Sequence, residues 1–276
     1  MGTGSTDGTD GTRDALGALG TLEVAGARVG VVLDGVDLPQ VWVPRPFLHP
    51  VHTLGGVVLT DRHPEDHPWH CGLGVALPDV DGVNCWGGPT FAAGEGYRWE
   101  DDHGTATVES SEQDGPRLRS GIAWRGPSGG VLLHEDRTIG WGAAPGGWQL
   151  TWTSALRTPG DRAVVLGSPG SHGRAGAGYG GWFLRFAPCV DVVVRTPDGA
   201  GEDRVHGSRA PWVSWTASFA GGRAHVLAEA LDHRDPWFVR VDEYPAIGSA
   251  LAWRSPAVVR PGEPLVRSFR VTVSDV

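Results

Sequence analysis

RPFLHPVHTLGGVVLTDRHPEDHPWHCGL (residues 45–73) holds five of the chain's eleven histidines: His49, His52, His63, His67 and His70. Imidazole takes up and releases a proton near neutral pH, and it is also the commonest metal ligand. His49-Pro50-Val51-His52 and His67-Pro68-Trp69-His70 each set two imidazoles three residues apart, and Asp66 stands beside the second pair. A neighbouring carboxylate orients an imidazole through Nδ1–H, in catalytic and metal-bound histidines alike. Three readings compete. One is acid/base catalysis on an oxygenated substrate. Another is a metal site of about three imidazoles and a carboxylate. The third is a set of hydrogen-bonded structural histidines. Loop spacings of this kind are less specific than a helical HExxH or paired CxxC motifs.

A second constellation is SHGRAGAGYGGW (residues 171–182). It contains a formal GxGxxG at Gly176, Gly178 and Gly181. A dinucleotide fingerprint opens a helix, whereas strand-like GWFLRF follows here, so that reading is rejected. The glycines let backbone approach a ligand closely, bringing His172, Arg174 and Tyr179 to a shared surface. A plain long turn is the alternative. Of thirteen tryptophans, Trp148, Trp152 and Trp182 fall in strand-like runs and are core candidates. Trp69, Trp86, Trp99 and Trp237 stand beside Gly, Pro and charged residues. Exposed aromatic faces hold the apolar faces of sugar rings, although burial is the default for each Trp. The polar turn DHRDPWF (232–238) offers His233 or Trp237 to the same pocket. Glu135-Asp136-Arg137 reads as a charged strand edge.

The elements that must position these residues are strands. Helical periodicity is nearly absent. Short runs such as ARVGVVLD (27–34), GVVLTD (56–61), CGLGVALP (71–78) and GWFLRF (181–186) recur between Gly, Pro and Asp. In Trp148-Gln149-Leu150-Thr151-Trp152-Thr153 the large apolar residues take every second place, the period of a strand with one buried face. Phe269, Val271 and Val273 alternate with polar residues in the same way. With 43 Gly and 21 Pro, the expected fold is all-β, a large antiparallel β-sandwich. The expected organisation is a disordered leader over residues 1–19 and a single domain over 20–276. Pro64 and Pro68 make the histidine segment a shaped loop and not a helix or central strand.

Composition excludes several classes. A net charge of -9 argues against a nucleic-acid or anionic-membrane partner. No apolar run has the length of a membrane helix, and the start lacks a secretory signal. Three cysteines fit a reducing compartment, so a cytoplasmic location is expected. There is no lysine, which excludes Schiff-base chemistry on lysine and a Walker-type phosphate loop.

The histidine segment, GVNCWG (82–87), GRAGAGYGGWFLR (173–185), PWVSW (211–215), DPWFVR (235–240) and RPGEPLVRSFRVTV (260–273) resemble the PmoA-like family of unknown function. That family carries the label methane oxygenase PmoA. The resemblance runs in order from about residue 40 onward. It implies a soluble sandwich of the galactose-mutarotase type and, by analogy, a carbohydrate substrate. Oxygenase activity is not carried across, because the membrane subunit behind that label is helical and this chain is acidic and β-rich. Members of the family show a pattern like DHPHHRG. Here Trp69 replaces the middle His and Cys71 the Arg, which removes one potential ligand and one potential anion partner.

The expectation is therefore an enzyme acting on a sugar, oxidised sugar or glycoside-like small molecule. His49, His52, His67 and His70 supply acid and base, and Asp66 orients one of them. Arg45, Trp69, His172, Arg174, Tyr179, His233 and Trp237 hold the substrate. The reaction is epimerisation, ring opening or elimination, and it requires no cofactor. The rivals are a metal-dependent oxygenase or lyase using a divalent metal on the same histidines, and a non-catalytic carbohydrate-binding sandwich.

Overall fold

Trp148, Leu150 and Trp152 alternate with polar neighbours, and in the computed structural model, which describes residues 17–276, all three are fully buried. They lie on strand Gly147–Arg157, inside a nine-stranded antiparallel sheet. Strand Leu265–Asp275 buries Phe269, Val271 and Val273 in the same way and sits between Gly147–Arg157 and Gly222–Ala230. A second sheet, of ten strands, runs in the order Ala18–Val24, Ala27–Leu33, Phe47–Val51, Leu73–Val80, Gly181–Arg185, Ala246–Ser249, Trp237–Arg240, with short strands attached off this path. One continuous cluster of buried side chains draws on both sheets, with Leu22, Leu48, Val75 and Trp182 from one and Trp124, Leu133, Trp148 and Trp215 from the other. The architecture is the expected antiparallel β-sandwich.

The central strands of the ten-stranded sheet are covered on both faces. Val75, Leu77, Trp182 and Leu184 join the sandwich core. The alternate residues Ala76 and Phe183 face the other way and pack with Trp86, Phe238 and Ala246. A strand buried on both sides reads as a continuous apolar run, not an alternating one, which explains GWFLR at residues 181–185. The layer over that outer face carries the candidate site.

Three expectations need correction. Residues 1–16 of the expected leader lie outside the described residues, but Ala18 and Leu19 already belong to a strand paired with Ala27–Leu33. The run at 56–61 is not a strand. Phe47–Val51 and Leu73–Val80 pair with each other directly, so the connecting run makes only isolated bridges such as His52 to Val58 and Thr60 to Phe186. Glu135 and Arg137 are not a solvated edge, for they are 0% and 3% exposed. The Glu135 carboxylate accepts from Arg137 Nε (2.8 Å), Trp124 Nε1 (3.0 Å) and the Ser154 hydroxyl (2.6 Å). A buried charge persists only when it is paired and hydrogen-bonded in this way. Among the described residues, no helix is long and apolar enough to cross a membrane.

Candidate functional site

Phe183 supports the site from beneath. The His70 ring packs on it with centroids 5.0 Å apart, and His67 stacks on His70 at 4.7 Å with planes 9° apart. Tyr244 meets both imidazoles, at 4.6 and 5.2 Å. Trp86 stands edge-on to His70, and Tyr179 covers Trp86 at 4.7 Å. His67, His70, Trp86, Tyr179, Tyr244 and Trp69 line a cavity of about 260 Å³, together with Tyr97, Arg174, Arg240 and Glu243.

Local hydrogen bonds shape the histidine loop. His67 N–H donates to the Pro64 carbonyl and His70 N–H to that of His67, while Gly72 N–H closes the loop onto Asp61. Arg45 clamps it from below, donating to the carbonyls of Trp42, Val43 and Trp69. Arg185, at the end of Gly181–Arg185, donates to both oxygens of Asp66 at 2.9 Å. Its other terminal nitrogen lies 3.4 Å from His70 Nδ1. Guanidinium only donates, so His70 Nδ1 accepts and the neutral ring carries its proton on Nε2. Asp66 also lies 3.2 Å from His67 Nδ1, although that contact lacks hydrogen-bond alignment.

Burial lowers the pKa of His67 despite Asp66, and that of His70 well below its ordinary value, with His67 and Arg185 adding to the effect on His70. Both rings are therefore neutral at physiological pH, each with one acceptor nitrogen and one N–H. Burial pushes the Asp66 carboxyl up, but the hydrogen bond and charge of Arg185 outweigh it and the net shift is downward. Burial raises the Tyr179 and Tyr244 hydroxyls, which stay protonated.

The wall opposite is built on Asn84. Its side chain accepts from the Trp86 and Gly87 N–H groups and donates to the Gly88 carbonyl and the Thr90 hydroxyl. The Trp69 ring lies directly on the Gly88 backbone, where a Cβ would stand 2.4 Å from it. Gly88 also has a φ of 70°, a conformation that favours glycine. Across the mouth, Arg174 donates to the Tyr97 hydroxyl at 2.8 Å and covers its ring, and Tyr97 meets the Tyr179 hydroxyl at 3.0 Å.

The structure brings together His67, Trp69, His70, Arg174 and Tyr179, with Asp66 behind His67. It places the remaining expected residues elsewhere. His49 sits on strand Phe47–Val51 with Nδ1 3.0 Å from the Thr60 hydroxyl, and burial lowers its pKa to about 4. His52 faces the Arg28 carbonyl. The first histidine pair is thus held by strand neighbours and does not reach the cavity. Arg45 is buried and satisfied by backbone carbonyls, so it positions the loop and holds no ligand. His233 is buried beside Asp235 and Phe269. Trp237 is fully buried and donates to the Ala210 carbonyl, so it belongs to the core. His172 pairs with Asp79 in an adjoining cavity.

Sequence reasoning missed Tyr97, Arg185, Arg240, Glu243 and Tyr244. One signal was present in composition: the chain has only three tyrosines, and all three line this cavity. Among the described residues, no group of three or more His, Cys, Asp or Glu side chains is arranged to hold a metal ion.

A model of a family of unknown function, DUF6807, matches residues 21–276. The chain belongs to that family, and the motif resemblance to a family of unknown function holds at that level. No curated protein matches the sequence. Among solved structures, a galactose mutarotase related enzyme from Lactobacillus acidophilus is similar at 10% identity and a TM-score of 0.51, over 92% of this chain and 97% of its own. A provisionally assigned aldose 1-epimerase from Escherichia coli K12 matches at 12% identity and a TM-score of 0.43, over 93% and 98%. The first likeness shows the fold, a sandwich of the galactose-mutarotase type.

Proposed function

We propose that this DUF6807 protein is an enzyme acting on a sugar, oxidised sugar or glycoside-like small molecule by histidine acid/base chemistry. The observation that carries the reading is the stacked pair His67 and His70 on the floor of an aromatic cavity. Burial keeps both rings neutral, so His67 accepts a proton at its unprotonated nitrogen, while His70, whose Nδ1 is taken by Arg185, offers the proton on Nε2. Epimerisation, ring opening and elimination beside a carbonyl all need a proton removed at one atom and returned at another. Trp69 and Trp86 suit the C–H faces of a pyranose. Tyr244, Glu243 and Arg174 suit its hydroxyl or carboxylate groups. The mutarotase-type fold is consistent with such a substrate, by analogy. The donor set gives less support to a metal-dependent oxygenase or lyase.

The test is proton chemistry on sugars. The protein is incubated in D2O with aldoses, keto-sugars and uronates, and anomer interconversion and deuterium uptake are followed by NMR. We expect catalysed exchange with at least one of them, and a loss of about 10²- to 10⁴-fold in His67→Gln. Tight binding of a sugar with no exchange in any of the panel would instead make the protein a carbohydrate-binding sandwich.

A further inference from the structure

Beside the His67–His70 cavity lies a second of about 180 Å³, and the two share Trp86, Gly87, Pro89 and Tyr179. We infer that they are the two ends of one cleft for a two-ring ligand, a disaccharide or glycoside. One ring rests on the histidines, and a neutral, hydroxyl-bearing ring fills the second cavity. This inference rests on the sugar-site reading of the first cavity and deepens it.

Two chain segments run through both cavities. Trp86-Gly87-Gly88-Pro89, pinned by Asn84, walls each of them. The loop at 170–180 sends Arg174 into the first, His172 into the second and Tyr179 to the boundary. Size points the same way. Pockets for drug-sized ligands run from about 300 to 1,000 Å³. The cavities, of about 260 and 180 Å³, each fall below that range and together lie within it.

The second cavity presents fixed acceptors. Asp79 Oδ1 accepts from Gly82 N–H and Oδ2 from His172 Nε2, both at 2.7 Å. Asp102 Oδ2 accepts from the Thr90 hydroxyl at 2.7 Å, and its Oδ1 is buried without a hydrogen bond, 3.7 Å from His103 Nδ1. Carboxylates held in this way accept hydrogen bonds from hydroxyls and repel an anionic group, while Phe91 adds an apolar face. The first cavity differs: its Arg240 and Glu243 pair with each other at 3.3 Å, which leaves the Arg174 charge over. Arg174 forms no ion pair among the described residues and is oriented only by Tyr97. A ligand with one carboxylate therefore lies with that group toward Arg174 and its neutral ring toward Asp79.

Calorimetric titration of the full chain with glucose, galactose and glucuronate, and with maltose, cellobiose and lactose, tests this. We expect at least one disaccharide to bind about tenfold or more tighter than its component monosaccharide, the gain from joining two weakly held rings. In Asp79→Asn and His172→Ala that ratio falls toward one. The His172 side chain is 45% exposed, so its removal leaves the core intact, which an unchanged melting temperature verifies. Monosaccharide binding with a ratio near one, or a gain that persists in both variants, overturns the inference while the sugar-site reading stands. If no sugar binds and the exchange experiment is also silent, the sugar-site reading falls and takes the inference with it.

Discussion

His67 and His70 differ from the other histidines of the motif in what surrounds them. A stacked pair of neutral rings works as acid and base only while both stay neutral, and burial lowers both pKa values. Turnover should therefore be level from neutral pH upward and decline only in acid, which a pH–rate profile measures. Asp66 raises the His67 pKa against that burial. In Asp66→Asn the raising charge is gone, so the acid limb moves to lower pH and turnover drops about tenfold through the loosened ring. An acid limb left in place would show that Asp66 does not act through His67. Asp66, His67, Trp69 and His70 were legible because they are neighbours in sequence and sit in a proline-shaped loop. Glu243 and Tyr244 were not, because only the hairpin between Trp237–Arg240 and Ala246–Ser249 returns them to the cavity. Local spacing carries no trace of that return. His49 and His52 misled for the converse reason: their spacing matches the second pair, but they lie on or beside a strand with its own partners.

At the scale of elements, period-two alternation located half-buried strands such as Gly147–Arg157 and Leu265–Asp275, and Trp148, Leu150 and Trp152 pointed inward as their pattern requires. What alternation could not give was the partner of each strand, nor the burial of Glu135 and Arg137, whose charges look solvated in a linear reading. Glu135→Leu strands Arg137 without its carboxylate and should cost about 3–5 kcal/mol. Urea unfolding should show the double variant Glu135→Leu, Arg137→Met recovering most of that loss. The glycine turn is a second test. Gly88→Ala places a methyl against the Trp69 ring and strains the left-handed backbone. Sugar affinity should drop about tenfold or more, and the melting temperature by a few degrees. An alanine variant that binds normally would mean that Trp69 does not shape the cavity.

Across the whole molecule, burial lowers the pKa of His49, His63, His67, His70, His206, His225 and His233. The unfolded chain binds a proton at each near pH about 6.5, whereas the folded chain resists. Below that pH the unfolded state therefore holds more protons, and stability declines as pH falls. His49 keeps contributing to the decline down to about pH 4, and the depressed Asp66 adds to it in the same direction. Thermal melts from pH 8 to 4 should be level above about 6.5 and then fall steeply, and His49→Asn should make the acid limb shallower. The position of Leu265–Asp275 bears on how the molecule comes to exist. That strand separates Gly147–Arg157 from Gly222–Ala230 at the middle of the nine-stranded sheet. A ribosome must release residues 265–275 before either flank of that sheet has its neighbour. Until then two apolar strand edges stand open to other chains, so the window between synthesis and closure is when a chaperone is most needed.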